Sequence, residues 1–300
     1  MINTLNSWLS YPKYFRIIFF IVLTFAIILN VIQVGNENNM FILYILSSIF
    51  LGIGFYNRSA LFIITVTTLL VICRFFLILD STADFGTFLT YLVTYFLISF
   101  ISRYLMRYAQ TVRNDILELT TALANALDSR DANTLHHSEN VSKYAVKIAE
   151  KMNLSKELRD SIRIGGLLHD IGKIGIPEHI LSKDGKLTDE EYKVIQRHPY
   201  IGYNMIRHIS NFHKNGVLDI VLYHHERYDG KGYPEGLSGE NIPLVARIVA
   251  VADTFDAMTS SRVYRAELDL SYTLEEICKN KGTQFDPDVV DAFLTIVKEH

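Results

Sequence analysis

Cysteine is nearly missing from this chain of 300 residues: Cys73 and Cys278 are the only two. They form no CxxC pair, which argues against a disulfide framework and a thiolate metal site and fits two unpaired thiols in a reducing compartment. Charge is scarce in the first third, where residues 1–100 carry only Lys13, Arg16, Arg58, Arg74, Glu37, Asp80 and Asp84. Histidine is absent before His136. Neither sign of charge is in marked excess, with Lys+Arg 29 against Asp+Glu 32, so nothing points to a nucleic-acid polymer as partner. From Asp131 onward the alternation expected of strands is almost lacking. These absences divide the chain into a membrane-like third and a soluble, histidine-rich remainder.

What the first third does have is apolar runs: Phe15–Val34, Met40–Tyr56, Ala60–Leu79 and Phe85–Ile101. Each is near the ~17–25 residues that a helix needs to cross a bilayer. Buried core helices can look the same, but soluble proteins rarely string four such runs together on tiny polar connectors. Residues 1–102 are therefore predicted to be a transmembrane region of four spans. No small-x-small cleavage site follows the first run, so a signal peptide is not expected. Lys13 and Arg16 precede the first run, Arg58 separates the second from the third, and Arg103, Arg107 and Arg113 follow the fourth. The other two connectors lack Lys and Arg, which predicts a multi-pass protein of the cytoplasmic membrane with both termini and the histidine-rich part inside. Arg74, inside the third run, is either a functional intramembrane charge or a snorkelling structural one.

Residues 103–130 follow as a helical linker with Leu105, Tyr108, Val112, Ile116, Leu119, Leu123 and Ala126 at steps of three and four. Two such seams would pair as a parallel coiled coil and make the protein a homodimer; a single amphipathic helix packing on its own domain is the other reading. Beyond it the signals are helical. Ser155 opens one helix, and Thr188 with Glu191 forms a capping box for a helix running to His198-Pro199. Asp286-Pro287 is an N-cap with proline at the first helical position. Gly165-Gly166 implies close helix packing. The expected fold is all-α throughout.

Chemistry gathers around Leu167–Lys173, where His169, Asp170 and Lys173 fall within five residues. If this stretch is helical, Asp170 and His169 both neighbour Lys173 on one face. His137, His198, the pair His224-His225, and Asp253 add ligand-type groups. Intervals are 32 residues from His137 to His169, 29 on to His198, 26 to His224, and 28 from His225 to Asp253. Each suits about one helix hairpin, so successive helices can present ligands to one point, as bundle cores do. So many imidazoles with two aspartates exceed what one first-row ion takes, and two ions bridged by a carboxylate fit better.

The segments LLHDIGKIGI (167–176), His198-Pro199, HHERYDGKGYP (224–234), ARIVAVADTFDAMTSSRVYR (246–265) and GTQFDP (282–287) closely resemble the bacterial HD-GYP phosphodiesterases, over roughly residues 120–300. That family hydrolyses cyclic di-GMP to linear pGpG and often on to GMP. The resemblance implies an HD-type helical domain with His137, His169, Asp170, His198, His224, His225 and Asp253 as metal ligands, Asp170 bridging. It implies Lys173 at the phosphate or leaving group, Arg262 and Arg265 on the second phosphate, and Tyr233 with Gly232 and Pro234 shaping the loop beside the substrate. His137 rather than His136 is implied because the family's first ligand directly precedes Ser138. Some members hold a third metal through a glutamate four residues before that ligand; Asn133 stands there, so a binuclear site is expected.

Iron or manganese is implied by the family and suits imidazole-rich ligation better than magnesium does. Two ions ~3.5–4 Å apart can hold a bridging hydroxide for in-line attack on a phosphodiester. His136, His179, His208, His213 and His300 match no ligand position. Glu226 and Asp229 either orient ligand histidines or fix the 230–232 turn. A membrane-anchored cyclic di-GMP phosphodiesterase is the leading expectation. A catalytically silent receptor for the dinucleotide, or a hydrolase of another cyclic dinucleotide, are the alternatives.

Overall fold

A computed structural model of the chain describes residues 11–32, 41–77, 84–130, 136–183, 185–260 and 269–298. Among these the regular structure is helical, relieved only by the isolated bridges Asp229–Ser238 and Lys281–Phe285. The chain separates into two compact units, Met1–Asp115 and Ile116–His300.

Unit 1 contains α1 (Pro12–Ile32), α2 (Phe41–Gly54), α3 (Ala60–Leu77) and the beginning of α4 (Phe85–Asp128). By length and composition two of these, α1 and α4, are able to cross a membrane; α2 and the apolar part of α3 are shorter. Phe19, Tyr44, Leu51, Ile63, Leu70 and Tyr95 pack together inside. So do hydroxyls: the Thr67 hydroxyl donates to Ser99 Oγ at 3.2 Å, and Ser99 donates to the Ser48 carbonyl at 3.4 Å. Gly52 permits that approach, since a Cβ there would stand 2.4 Å from the Ser99 carbonyl oxygen. Large apolar side chains point outward instead, among them Phe20, Ile21, Phe25, Phe76 and Leu97. Arg74 does not snorkel. It is buried, with Nη1 donating to the Tyr95 hydroxyl at 2.9 Å and its guanidinium 3.7 Å from the centre of the Tyr91 ring, an aromatic cradle that offsets part of the charge's desolvation.

The fourth apolar run and the helical linker expected after it lie on one continuous helix. α4 is one helix of 44 residues. Nothing between Thr87 and Asp128 is glycine or proline, so no residue interrupts the i→i−4 ladder. The apolar positions of its later part, Leu105, Tyr108, Val112, Ile116, Leu119 and Leu123, are exposed.

Unit 2 adds α5 (His137–Lys151), α6 (Lys156–Leu168), α7 (Glu178–Leu181), α8 (Asp189–Ile195), α9 (His198–Ile206), α10 (Ser210–Asn215), α11 (Val217–Tyr223), α12 (Leu244–Thr259), α13 (Leu270–Lys279) and α14 (Pro287–Lys298), with 3-10 turns at Ile171–Gly175 and Gly239–Asn241. Val141, Ile148, Ile162, Ile220, Val249, Phe255, Ile277 and Phe293 form its main core. Ser155 caps α6 by accepting from the Leu158 N–H, and Thr188 with Glu191 makes the expected capping box. That box starts a shorter helix than expected: α8 stops at Ile195, and His198 opens α9 separately with Pro199 in its first turn, where a missing N–H has no helical partner to lose. Asp286 Oδ1 accepts from the N–H groups of Asp288 and Val289 at 2.7 and 3.2 Å, capping α14 as predicted.

Candidate metal centre

The His-Asp stretch is not a helix face. α6 ends at Leu168 with His169 as its C-cap, and Asp170 precedes the 3-10 turn Ile171–Gly175. Two packings hold this corner in place. A Cβ on Gly165 would come within 2.3 Å of Ile220 Cδ1, and one on Gly166 within 2.8 Å of Ser142 Cα, so the paired glycines let α6 press against α11 and α5. A Cβ on Gly172 would lie 1.9 Å from the His198 carbonyl oxygen, which brings the turn directly onto the start of α9.

The expected ligands come mostly from helix ends. His137 and His198 are the first residues of α5 and α9, and His169 and His224 cap the C-termini of α6 and α11. Asp253 alone comes from mid-helix, on α12. Backbone carbonyls exposed at the helix ends then do a second job. His169 Nδ1 lies 2.8 Å from the Gly166 oxygen, His198 Nδ1 2.8 Å from the Ile195 oxygen, and His224 Nδ1 3.1 Å from that of Ile220. A carbonyl only accepts, so each Nδ1 carries the proton and each Nε2 presents a lone pair. His137 Nδ1 is held in the same way by Asp256 Oδ2 at 2.7 Å.

Those lone pairs converge. Two groups form, Asp170 with His198, His224 and His225, and His137 with His169 and Asp253, the ligand atoms within each lying within 4.8 Å of one another. Asp170 faces both. Its Oδ2 is 3.2 Å from His169 Nε2, and its Oδ1 is 3.2 Å from His198 Nε2 and 4.0 Å from His224 Nε2. His198 Nε2 and His224 Nε2 are 3.3 Å apart with both protons on the far nitrogens, a repulsive pairing that a cation between them would relieve. His169 Nε2 and Asp170 Oδ1 are fully buried and make no hydrogen bond. Unsatisfied buried donors and acceptors of this kind are rare and call for a partner; nitrogen and carboxylate oxygen donors around them suit a divalent transition metal. The residues therefore fit a metal ion.

Electrostatics agree. Burial opposes the ionisation of Asp170, but Lys173 and His169 hold its carboxyl well below the usual range. His137 and His169 likewise overcome burial at Asp253. His224 and His225 are pushed down by burial and by neighbouring imidazoles, His225 to about 3, so both rings are neutral at pH 7. For His137, burial opposes the charged ring, yet Asp253 and Asp256 pull its pKa up to about 10. The carboxylates thus favour positive charge at this spot.

Beside the two groups opens a cavity of about 490 Å³ lined by His224, His225, Lys231, Tyr233, Asp253 and Gln284, among others. The Tyr233 ring lies against His225, tilted by 31° with ring centres 4.8 Å apart. Gly232 makes this possible, because a Cβ there would stand 2.4 Å from the Arg227 nitrogen. Lys173 Nζ is 2.7 Å from Asp170 Oδ2. Glu226 and Asp229 serve the loop rather than the histidines. Glu226 Oε1 accepts from the N–H groups of Glu235 and Gly236, while Asp229 takes the Arg227 guanidinium and the Lys231 N–H. His136, as expected, is outside the cluster, exposed and 3.6 Å from Glu139; His179 and His208 are exposed. Arg262, Arg265, Asn133 and His300 lie outside the described residues.

Asp256 was not singled out by the motifs. One signal for it exists, since it follows Asp253 by three positions and shares its helix face, but only the fold shows that His137 lies between the two.

Comparison with known proteins adds relatives to this geometry. A model of the HD domain matches residues 115–289. The cyclic di-GMP phosphodiesterase response regulator RpfG of Xanthomonas campestris is 47% identical over 59% of this chain and 47% of its own length. A cyclic di-GMP phosphodiesterase of Thermotoga maritima is 41% identical over 62% of this chain and 50% of its own. A 3'3'-cGAMP-specific phosphodiesterase of Vibrio cholerae is 35% identical over 61% of this chain and 35% of its own. The chain spans about half, or less, of the length of these curated relatives.

Proposed function

Because this chain belongs to the HD-domain family, we propose that it is a metal-dependent phosphodiesterase that opens cyclic di-GMP to linear pGpG, with GMP as a possible second product. One observation carries the reading: the imidazoles and the two oxygens of Asp170 converge in two groups, and His169 Nε2 and Asp170 Oδ1 among them are buried with no hydrogen-bond partner. His137, His169 and Asp253 would hold one ion and His198, His224 and His225 a second, with Asp170 placed to serve either; iron or manganese would suit these donors. Bound there, the ions supply Lewis acidity at the phosphate and water of lowered pKa.

The chain's own residues do the rest. Lys173 leaves its pairing with Asp170 to meet a phosphate oxygen or the leaving oxygen. Tyr233, fixed on His225, borders the cavity that receives the nucleotide. Arg262 and Arg265 neutralise the second phosphate. Buried walls around the site exclude bulk water and strengthen each of these charges.

Purified full-length protein loaded anaerobically with Fe(II) or Mn(II) is expected to convert cyclic di-GMP to pGpG, read by product chromatography. An unchanged substrate peak from metal-loaded protein overturns the proposal, and binding without turnover selects a silent receptor. The named specificity of the Vibrio cholerae relative favours one second reading, in which a mixed purine dinucleotide is the preferred substrate. Side-by-side turnover of cyclic di-GMP and 3'3'-cGAMP decides between them.

The outward apolar side chains of unit 1 support a multi-pass anchor in the cytoplasmic membrane, with lipid as its solvent and the histidine-rich unit inside. Reporter fusions at both termini test that orientation. The exposed apolar seam of α4 supports a parallel homodimer through this helix; cross-linking of a Leu119→Cys chain in membranes tests it.

A further inference from the structure

The end of α4 grips both flanks of the candidate centre. Asp128, its last residue, is 4% exposed, and both of its carboxylate oxygens reach Ser138. Oδ2 accepts from the Ser138 N–H at 3.0 Å and Oδ1 from the Ser138 hydroxyl at 2.8 Å. Ser138 directly follows His137, the first residue of α5. The N–H groups at a helix start have no partner within the helix and need one from outside. His136, at the N-cap of α5, offers no side-chain bond and has φ 63°, so Asp128 caps this helix from ten residues upstream. One turn earlier, Asn125 Nδ2 donates to Glu139 Oε1 at 2.8 Å, a second bond to the same turn of α5. Two residues after Asp128, Arg130 reaches the opposite flank. Its Nη1 donates to the Ile174 carbonyl at 3.2 Å, and Nη2 pairs with Glu178 at 2.7 Å. Ile174 directly follows Lys173.

We propose that Asp128 is a positioning residue for the His137–His169–Asp253 half of the centre, and that Arg130 is one for Lys173. The last turn of α4 thereby sets whether His137 and Lys173 stand where the reaction needs them. This rests on the metal-dependent reading above and adds a handle by which it is regulated. A ligand on the first residue of a helix takes its backbone position from whatever caps that helix. Here the cap belongs to α4, while Asp256 of α12 holds the far nitrogen of the same imidazole. A shift of the end of α4 along or about its axis moves Ser138, and with it His137, against a fixed Asp256. The other half is anchored elsewhere, through His198 on the Ile195 carbonyl and His224 on the Ile220 carbonyl. The two halves therefore respond differently to the same displacement.

The test uses the full chain in detergent, loaded anaerobically with Mn(II) and desalted. Metal equivalents per chain, thermal unfolding and turnover are measured together. Asp128→Asn keeps the size but can accept only one of the two Ser138 bonds. It is expected to weaken one metal equivalent by about tenfold or more, the range seen when a group supporting a ligand is removed, and to retain the other with an unchanged unfolding profile. Ser138→Ala, which loses only the hydroxyl bond, gives a smaller loss of the same equivalent and serves if Asp128→Asn does not fold. Arg130→Gln is expected to keep both equivalents and lower kcat several-fold. Asp128→Asn and Ser138→Ala chains that hold both equivalents with wild-type affinity overturn the proposal. Loss of both equivalents in step with the fold overturns it too, by showing a purely structural cap. A wild-type chain that takes up no metal removes instead the reading beneath it.

Discussion

The two units of this chain each enclose an apolar core but differ in the surface they present and in the polar groups they bury. Unit 1 encloses Ser47, Ser48, Thr67, Ser99 and Arg74 and turns Phe20, Ile21, Phe25 and Phe76 outward. Unit 2 encloses Val141, Ile148, Ile162, Ile220 and Val249. In water, removing apolar surface from solvent is the main drive to fold, and unit 2 obeys it. Where the solvent is as apolar as leucine, that drive vanishes, and helices associate through close packing and interhelical polar contacts. The Gly52–Ser99 approach and the Thr67–Ser99–Ser48 hydroxyl chain are close-packed polar contacts such as that setting would favour. Unit 2 also buries polar groups, but several are gathered in one place: His137, His169, Asp170, His198 and His224. Burying polar groups is costly unless each finds a partner. In unit 1 the hydroxyls bond to one another or to backbone carbonyls and Arg74 Nη1 bonds to Tyr95, although Arg74 Nε has no partner; in unit 2 His169 Nε2 and Asp170 Oδ1 have none.

Substitutions sharpen that contrast. The largest effect is expected from Asp170→Ala, which removes the one carboxylate facing both groups. Both metal equivalents are lost and turnover falls by on the order of a thousandfold or more, while the membrane fraction still contains the protein. Metal analysis of the purified variant checks it, and a variant that keeps two equivalents contradicts the assignment of Asp170. Next comes Ile148→Ala in the core of unit 2, fully buried. It should cost about 2–5 kcal/mol of unfolding free energy, measured by denaturant titration with the metal in place.

Exteriors behave oppositely in the two units. Ile21→Lys places a charge on the outer face of unit 1 and should cost about 2.5–3.5 kcal/mol if that face meets lipid. Met205→Lys, on the exposed side of α9 in unit 2, should stay within about 0.5 kcal/mol. Membrane-fraction yield and thermal unfolding of both variants provide the comparison; an Ile21→Lys chain that leaves the membrane fraction still folded would break it. The smallest effect belongs to Ser155→Ala. Removing the α6 cap should cost about 1 kcal/mol and, because α6 carries His169 at its other end, should leave metal stoichiometry unchanged in the same assay.

Much of this was legible from spacing and residue type. His137, His169, Asp170, His198, His224, His225 and Asp253 stand out by motif, and the fold gathers them. Capping residues announced themselves at Ser155, Thr188 and Asp286, because a cap is a local bond between neighbours in sequence. The fourth apolar run and the linker continue as one helix for an equally local reason: a change from apolar to polar composition does not interrupt a backbone ladder that no glycine or proline disturbs. Similarly, the His-Asp stretch looked like a helix face, but its ligands sit at the end of α6, where the carbonyls become free to hold imidazole protons.

The sequence by itself determined the division into an apolar third and a histidine-rich remainder, the helical class, and the roster of candidate ligand residues. These depend on side-chain type and short-range periodicity. Only the tertiary structure decided that the ligands separate into two groups with Asp170 facing both. It alone assigned the Nδ1 protons, turned Arg74 inward onto Tyr91 and Tyr95, and brought Asp256 and Asp128 to bear on His137. Periodicity says which residues share a face but not which faces meet. The carbonyls that orient His169, His198 and His224 are groups every residue carries, so no letter of the sequence marks them.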